Sequence, residues 1–374
     1  MDETAFTPSV ETVGANPTRL WGLDTAERLR RIAAKAGLGG TGAPVVLANA
    51  AHAFDPAWLR HVADHPGLVL TLGGVPALAH ARTEHEAALL REAMREETRP
   101  REAELFTFAA YEDGATIENK ELRKRERPFL MELRPDTVRA IERASYFGAY
   151  KGVTDVLTKY LWPEWALWLT RLAAWLGVTP NMVTVIGAVF CVAATFAFAE
   201  GAYWLGMALG LVFMVLDTVD GKLARCTITS SWWGNVFDHG VDLVHPPFWW
   251  WFWATGLVHW GLALSDTAFW WVQGAIIGGY VVQRAIEGLF MRDFDGMHIH
   301  VWERFDSRFR LITARRNPNM VILFVSVIFA RPDIGIVAVA VWTVVSCLVH
   351  LVRLVQAIAL ARKGVKIRSW LAEA

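Results

Sequence analysis

From Met182 to Leu360 the chain is a succession of long apolar runs separated by short charged connections, and this pattern restricts the fold more than any other feature. In hydrocarbon every backbone N–H and C=O must be paired within the protein, so runs of this kind become helices. Read by length they give about six spans: Met182–Ala199, Trp204–Val219, Val236–Val258, Ala268–Phe290, Met320–Ala330 extended at its ends, and Ile334–Leu360. Composition agrees. The chain is 54% hydrophobic with 19 Trp, rich for a soluble protein.

Charge orients the spans. Lys222 and Arg225 lie between the second and third. Arg292, Arg304, Arg308, Arg310, Arg315 and Arg316 lie between the fourth and fifth, and Arg362, Lys363, Lys366 and Arg368 follow the sixth. The opposite connections hold Glu200, Asp266, Arg331 and Asp333. The positive-inside rule makes the Lys/Arg side cytoplasmic, together with everything N-terminal to the first span. The expected setting is a bacterial inner membrane. A formal net charge of +0 shows no footprint for nucleic acid. Cys191, Cys226 and Cys347 are odd in number, scattered, and without metal-ligand spacing.

The N-terminal third reads differently. Residues 1–18 look like a loose tail. Asp24–Gly37 reads as a helix with Asp24 or Thr25 as N-cap and Gly37 as the stop. Pro44–Ala48 and Leu68–Leu72 read as buried strands, Asp55–Ala63 as a helix opened by Asp55 and Pro56, and Pro76–Glu96 as helical. Strands alternating with helices predict a small cytoplasmic α/β domain with a parallel sheet. Arg99–Pro128, with Lys120, Arg123, Lys124, Arg125 and Arg127, reads as a basic linker suited to anionic head groups. Trp165–Leu176, short and Trp-rich, fits an interfacial helix on the membrane. The fold class expected is therefore a mainly α membrane protein, residues 136–374, preceded by an α/β domain and linker, residues 1–135.

Between the second and third apolar runs stand four carboxylates, Asp217, Asp220, Asp238 and Asp242. The first pair is spaced i, i+3 and the second i, i+4, so on helices each pair shares a face. Acids gathered beside a bilayer need a counter-charge. An all-oxygen set without His or Cys favours Mg²⁺, Mn²⁺ or Ca²⁺ over zinc. Gly221 and Gly234 allow close approach to the backbone, and Arg225 offers a fork for phosphate. Small residues at 221, 224 and 234 suit a nucleotide slot or, alternatively, close helix packing.

This stretch resembles the signature of the CDP-alcohol phosphotransferase family, D-x2-D-G-x2-A-R-x8-G-x3-D-x3-D, at every fixed position: Asp217, Asp220, Gly221, Ala224, Arg225, Gly234, Asp238 and Asp242. The resemblance implies transfer of a substituted phosphate from a CDP-linked donor to an alcohol or polyol-phosphate acceptor, with release of CMP and direct attack by the acceptor. It implies two divalent ions, Mg²⁺ or Mn²⁺, held by Asp217, Asp220, Asp238 and Asp242. It makes Asp242 the general base, and Asp220, Gly221, Ala224, Arg225 and Gly234 the CDP-binding residues. It also implies membrane-lipid partners and a homodimer. Some family members carry an N-terminal sugar-nucleotidyltransferase-type domain. Here the glycine cluster Gly39-Gly40-Thr41-Gly42 follows a helix where such an enzyme needs a first strand. A degenerate domain that scaffolds or regulates is the expectation, with a mild tilt toward an inositol-type or other polyol head group.

For the acceptor, the candidates are Arg284, inside the fourth span, and Arg315 and Arg316 before the fifth. Glu287, three residues from Arg284, is its alternative partner. Lys151 and Asp155 are weaker candidates, and His298 and His300 read as surface residues. Two other functions account for part of the sequence. A cation transporter explains the acids and leaves the glycines, Ala224 and Arg225 without a role. An inactive anchor for the N-terminal domain has no need of intact acids.

Overall fold

The computed structural model describes residues 7–119 and 122–372, with two compact units, each described by itself. Lys120 of the basic linker lies outside the described residues, as do the side chains of Asn235, Asp238 and His239.

The first unit comprises Met1–Tyr150, Arg171–Gly177 and Lys222–Thr229. Its elements begin β1 (Ser9–Val13), α1 (Thr25–Ala36), β2 (Val45–Asn49), β3 (His52–Phe54), α2 (Pro56–Ala63), β4 (Leu68–Leu72), β5 (Val75–Ala81) and α3 (Glu84–Glu96). They continue with β6 (Thr107–Ala110), β7 (Ile117–Asn119), β8 (Lys124–Glu126), β9 (Leu130–Glu132) and α4 (Val138–Gly148). The caps follow local chemistry. Asp24 accepts from the Glu27 N–H and Gly37 closes α1 at φ 72°. Asp55 accepts from the Ala57 N–H, with Pro56 opening α2.

The five-stranded sheet has the order β1-β2-β5-β4-β6. Its β1–β2 and β4–β6 pairs are parallel, whereas β2–β5 and β4–β5 are antiparallel. The parallel sheet expected from the sequence is thus corrected to a mixed one. The cause is Gly73-Gly74, both at positive φ, which folds β4 back on β5 as a hairpin. Val75–Ala81 is therefore a strand, and the helix expected from Pro76 begins only at Glu84, where the Thr83 hydroxyl accepts from the Glu86 N–H. The expected tail holds β1, paired with β2 from Ser9↔Val45 to Val13↔Asn49.

Strand alternation splits the core. Val46, Ala48, Leu70 and Leu78 pack with Leu29 and Ile32 of α1 and Trp58, Leu59 and Val62 of α2. Val45, Leu47, Val69 and Ala79 pack with Ala87, Leu90 and Met94 of α3. The period of two sends neighbouring residues to opposite helical layers. Gly40 has a packing role here. A Cβ on it would stand 1.9 Å from the Thr7 carbonyl oxygen.

The second unit comprises Lys151–Thr170, Val178–Gly221 and Ser230–Ala374. Among the remaining elements are α5 (Val156–Tyr160), α6 (Pro163–Trp175), α7 (Pro180–Ala199), α8 (Tyr203–Cys226) and α9 (Trp232–Gly256). They are followed by α10 (Asp266–Gln273), α11 (Gly279–Asp293), α12 (Arg304–Phe309), α13 (Arg316–Ile328) and α14 (Pro332–Arg362). A π-helical segment, Gly274–Gly278, joins α10 to α11 where the sequence reads one continuous span. Thr179 caps α7, with Pro180 at its first position.

Among the described residues, α7, α8 and α14 are long and apolar enough to cross a membrane, and α13 is a shorter apolar helix. Val185, Ile186, Val189, Val192 and Phe196 of α7, and Val341, Leu348, Val352 and Val355 of α14, stand exposed. In water such faces would be large apolar patches. Lipid solvates them, and the chain is a membrane-spanning protein.

Candidate active site

The motif is carried by α8, a short turn, and α9. Asp217, Asp220 and Gly221 occupy the C-terminal part of α8, and Ala224 and Arg225 its last turn. The carbonyls of Ala224 and Arg225 accept from the Thr229 and Ile228 N–H groups, which closes the helix end. Ser231 then caps α9, its hydroxyl accepting from the Gly234 N–H at 3.0 Å. A Cβ on Gly234 would lie 3.1 Å from that hydroxyl and 3.2 Å from Asn181 Oδ1. Glycine here keeps the start of α9 close to the start of α7.

Asp217 and Asp242 converge on one cation. Arg316, the first residue of α13, donates from Nη2 to Asp217 Oδ2 and from Nη1 to Asp242 Oδ1, each at 2.6 Å. The Arg316 side chain is 11% exposed, Asp217 17% and Asp242 45%. Both acids thus look toward the same point, and Asp242 is the one solvent reaches. Asp220 is buried and held differently. Its Oδ2 accepts from the Thr184 hydroxyl at 2.6 Å and its Oδ1 from the Gly221 N–H at 2.5 Å. Among the described residues no group of three His, Cys, Asp or Glu gathers as metal ligands, and the Asp238 side chain lies outside them.

Thr184 is a residue that sequence reading does not single out. Its hydroxyl is the donor that fixes a buried carboxylate, and a hydrogen bond to a charged group is worth about 1.5–3 kcal/mol. Thr184→Val, nearly isosteric, is expected to cost about 2 kcal/mol in thermal unfolding, with Thr184→Ser close to wild type. Equal melting of all three proteins would remove Thr184 from the site.

Behind α9 the two internal prolines leave carbonyls without helical partners. Pro247 has no N–H for the Leu243 carbonyl, and the Tyr280 hydroxyl of α11 donates to that oxygen at 3.0 Å. The same residues that interrupt the ladder thereby tie α11 to the motif helix.

Of the acceptor candidates, Arg316 meets the motif acids, whereas Arg284 and Arg315 meet Glu287. Arg284 Nη1 lies 3.2 Å from Glu287 Oε2, the i, i+3 pairing that spacing allows. Arg315 donates to Glu287 Oε1. His300 Nε2 is 3.4 Å from the same oxygen and 3.1 Å from Arg315 Nη2. The surface reading of His300 is corrected, since it is 2% exposed. The short helix Ile299–Val301 turns it inward against Glu287 and His350.

Burial holds the His300 imidazole well below its usual value, with Glu287 opposing that shift and Arg315 and Arg310 adding to it. The unfolded chain takes up this proton near pH 6.5, so the contribution to stability is complete above that pH. It is lost as pH falls toward the folded value, at up to about 1.4 kcal/mol per unit. Unfolding midpoints at pH 8 and 5.5 should show a drop that His300→Asn flattens. An unaltered slope would assign it to other groups.

Residues 177–314 match the family model described as CDP-alcohol phosphatidyltransferase. The chain is 35% identical over 128 residues to cholinephosphotransferase 1 of Gallus gallus, covering 31% of this chain and 36% of that protein. It is 31% identical over 151 residues to choline/ethanolaminephosphotransferase 1 of Arabidopsis thaliana, covering 37% and 36%. It is 32% identical over 123 residues to the CDP-diacylglycerol–serine O-phosphatidyltransferase of Encephalitozoon cuniculi, covering 30% and 31%. The matched part thus spans about a third of the length of these relatives.

Proposed function

Starting from residues 177–314 as a CDP-alcohol phosphatidyltransferase domain, we propose that the protein is a membrane phosphotransferase. It moves a substituted phosphate from a CDP-alcohol to an alcohol acceptor and releases CMP. The observation that carries this reading is the convergence of Asp217 of α8 and Asp242 of α9 on a single guanidinium. Two carboxylates from separate helices share one cation, and a hard, all-oxygen donor set of this kind also fits a divalent metal. Asp217, Asp220, Asp238 and Asp242 are the residues that would hold Mg²⁺ or Mn²⁺, two ions by family resemblance. Bound there, the metal supplies neutralisation of diphosphate oxygens.

The chain's own residues supply the rest. The acceptor hydroxyl oxygen bonds to the phosphorus that carries the donor's alcohol. The bond from that phosphorus to the oxygen bridging it to CMP breaks, and CMP leaves with that oxygen. Asp242, the more exposed of the Arg316-bound pair, takes the hydroxyl proton as general base. Gly221, Ala224, Arg225 and Gly234 are the CDP-binding residues that the family signature implies, the small residues to admit the nucleotide and Arg225 to pair with phosphate. Arg284 and Arg315 belong to the acceptor side through their charge, held in place by Glu287.

Helix length and composition support α7, α8 and α14 as spans; α9, α10–α11 and α13 complete the proposed six through the apolar runs of the sequence, and the Lys/Arg distribution supports a cytoplasmic motif face. The α/β domain acts as a scaffold, and a homodimer is the expected assembly. The names of the relatives put choline, ethanolamine and serine head groups first in any substrate panel, with a CDP-polyol beside them. The test is CMP release by purified protein in nanodiscs from CDP-choline, CDP-ethanolamine, CDP-inositol and CDP-diacylglycerol. Each donor is paired with diacylglycerol, serine or a polyol phosphate, with Mg²⁺ and with EDTA. Release that EDTA abolishes supports the reading. A folded, Mg²⁺-supplied protein that releases no CMP from any pair would overturn it.

A further inference from the structure

Arg316 is held from three sides. Nη1 and Nη2 bind the two motif acids, and Nε donates to Asn317 Oδ1 at 3.0 Å. Asn317 is itself fixed. Its Nδ2 donates to Asp155 Oδ1 at 3.1 Å and to Thr158 Oγ1 at 3.2 Å. Asp155 is the N-cap of α5, accepting from the Thr158 N–H at 3.0 Å and the Thr158 hydroxyl at 2.8 Å. Asp155 and Asn317 are both buried. The amide can point only one way. Its oxygen must face the guanidinium and its NH₂ the carboxylate, because the reverse would set donor against donor and acceptor against acceptor. The Phe213 ring lies 4.9 Å beneath the guanidinium carbon. Nothing in this arrangement needs a ligand, yet all of it serves to aim one positive charge at two acids.

Resting on the reading of Asp217 and Asp242 as metal ligands, we infer that Asn317 and Asp155 are positioning residues that steer Arg316 onto those acids. There the guanidinium stands as an internal cation that a divalent ion must displace. Two carboxylates and one guanidinium leave a net negative charge, so the site still attracts a metal while the bare acids are kept from repelling each other. The oxygens that bind Arg316 cannot give the same lone pairs to an ion. Displacement therefore frees the guanidinium, tethered through Asn317, to face the phosphate oxygens of the substrate.

The consequence is an inverse pair of effects that ordinary destabilisation does not produce. Mn²⁺ binding to the full-length protein in nanodiscs, without nucleotide, is measured by electron paramagnetic resonance, and CMP release is measured in parallel. Arg316→Met removes the competing cation and should tighten Mn²⁺ binding by at least about tenfold while turnover falls. Asn317→Leu leaves the arginine present and unaimed, and should tighten Mn²⁺ by a smaller factor while also slowing turnover. Asp155→Asn, isosteric and carried alongside, should move both readouts in the same directions. If wild type binds Mn²⁺ and Arg316→Met binds it equally or more weakly, the internal-cation role is overturned. If Arg316→Met tightens binding and neither Asn317→Leu nor Asp155→Asn changes it, the steering role is overturned. If wild type binds no Mn²⁺ at all, the metal-site reading itself fails, and that result is distinguishable from the other two.

Discussion

Asp242→Asn is expected to lower CMP release by about 10²- to 10⁴-fold, the range general-base catalysis contributes. The substitution keeps the shape of the side chain and one oxygen to accept from Arg316, and removes the capacity to take a proton together with one negative charge, the second loss being the one that metal binding reads. Asp242 is 45% exposed against 17% for Asp217, so it is the acid an incoming hydroxyl can reach. Metal-dependent CDP binding should fall far less than turnover, because Asp217, Asp220 and Asp238 remain. The two quantities are separable by pairing a CMP-release assay with calorimetric titration of CDP in Mg²⁺. A variant turning over within a few-fold of wild type would take the base assignment away from Asp242. Equal loss of binding and turnover would make it chiefly a ligand.

The features legible in the sequence are local ones. Asp24, Asp55 and Thr179 are followed at once by helix-forming sequence, so their capping roles depend on neighbours a few residues away. The pairing of Arg284 with Glu287 is legible for the same reason, being i, i+3 on one helix. Val75–Ala81 misleads because the strand is central and packed on both faces. It shows no polar alternation, and its alanines suit a helix equally well. The strand Ser9–Val13 is too short to announce itself and gains its order from Val45–Asn49. At the site, the motif positions are plain from spacing, but their partners are not. Arg316 is 99 residues from Asp217 and 74 from Asp242, and Thr184 is 36 from Asp220. Positive-inside charge alone explains an arginine at residue 316, so its pairing with two acids emerges only when α8, α9 and α13 are packed together.

Asp217→Ala should have the other large effect, and on binding first. With this acid gone, a metal loses a ligand and the charge that draws it in, so the Mg²⁺-dependent part of CDP affinity should disappear. Charge neutralisation by a bound metal is worth several kcal/mol, which corresponds to a loss on the order of 10²-fold or more. The fold should survive better than removal of a buried acid usually allows. Breaking such a pair strands the partner charge, but Arg316 keeps Asp242 and the Asn317 oxygen as acceptors. Titrating CDP in Mg²⁺ and in EDTA, with thermal unfolding of the same samples, separates the outcomes. The ligand role requires that Asp217→Ala in Mg²⁺ match wild type in EDTA. Retained Mg²⁺-dependent binding would leave Asp217 as nothing more than a counter-ion for Arg316, and would move the metal to Asp220, Asp238 and Asp242.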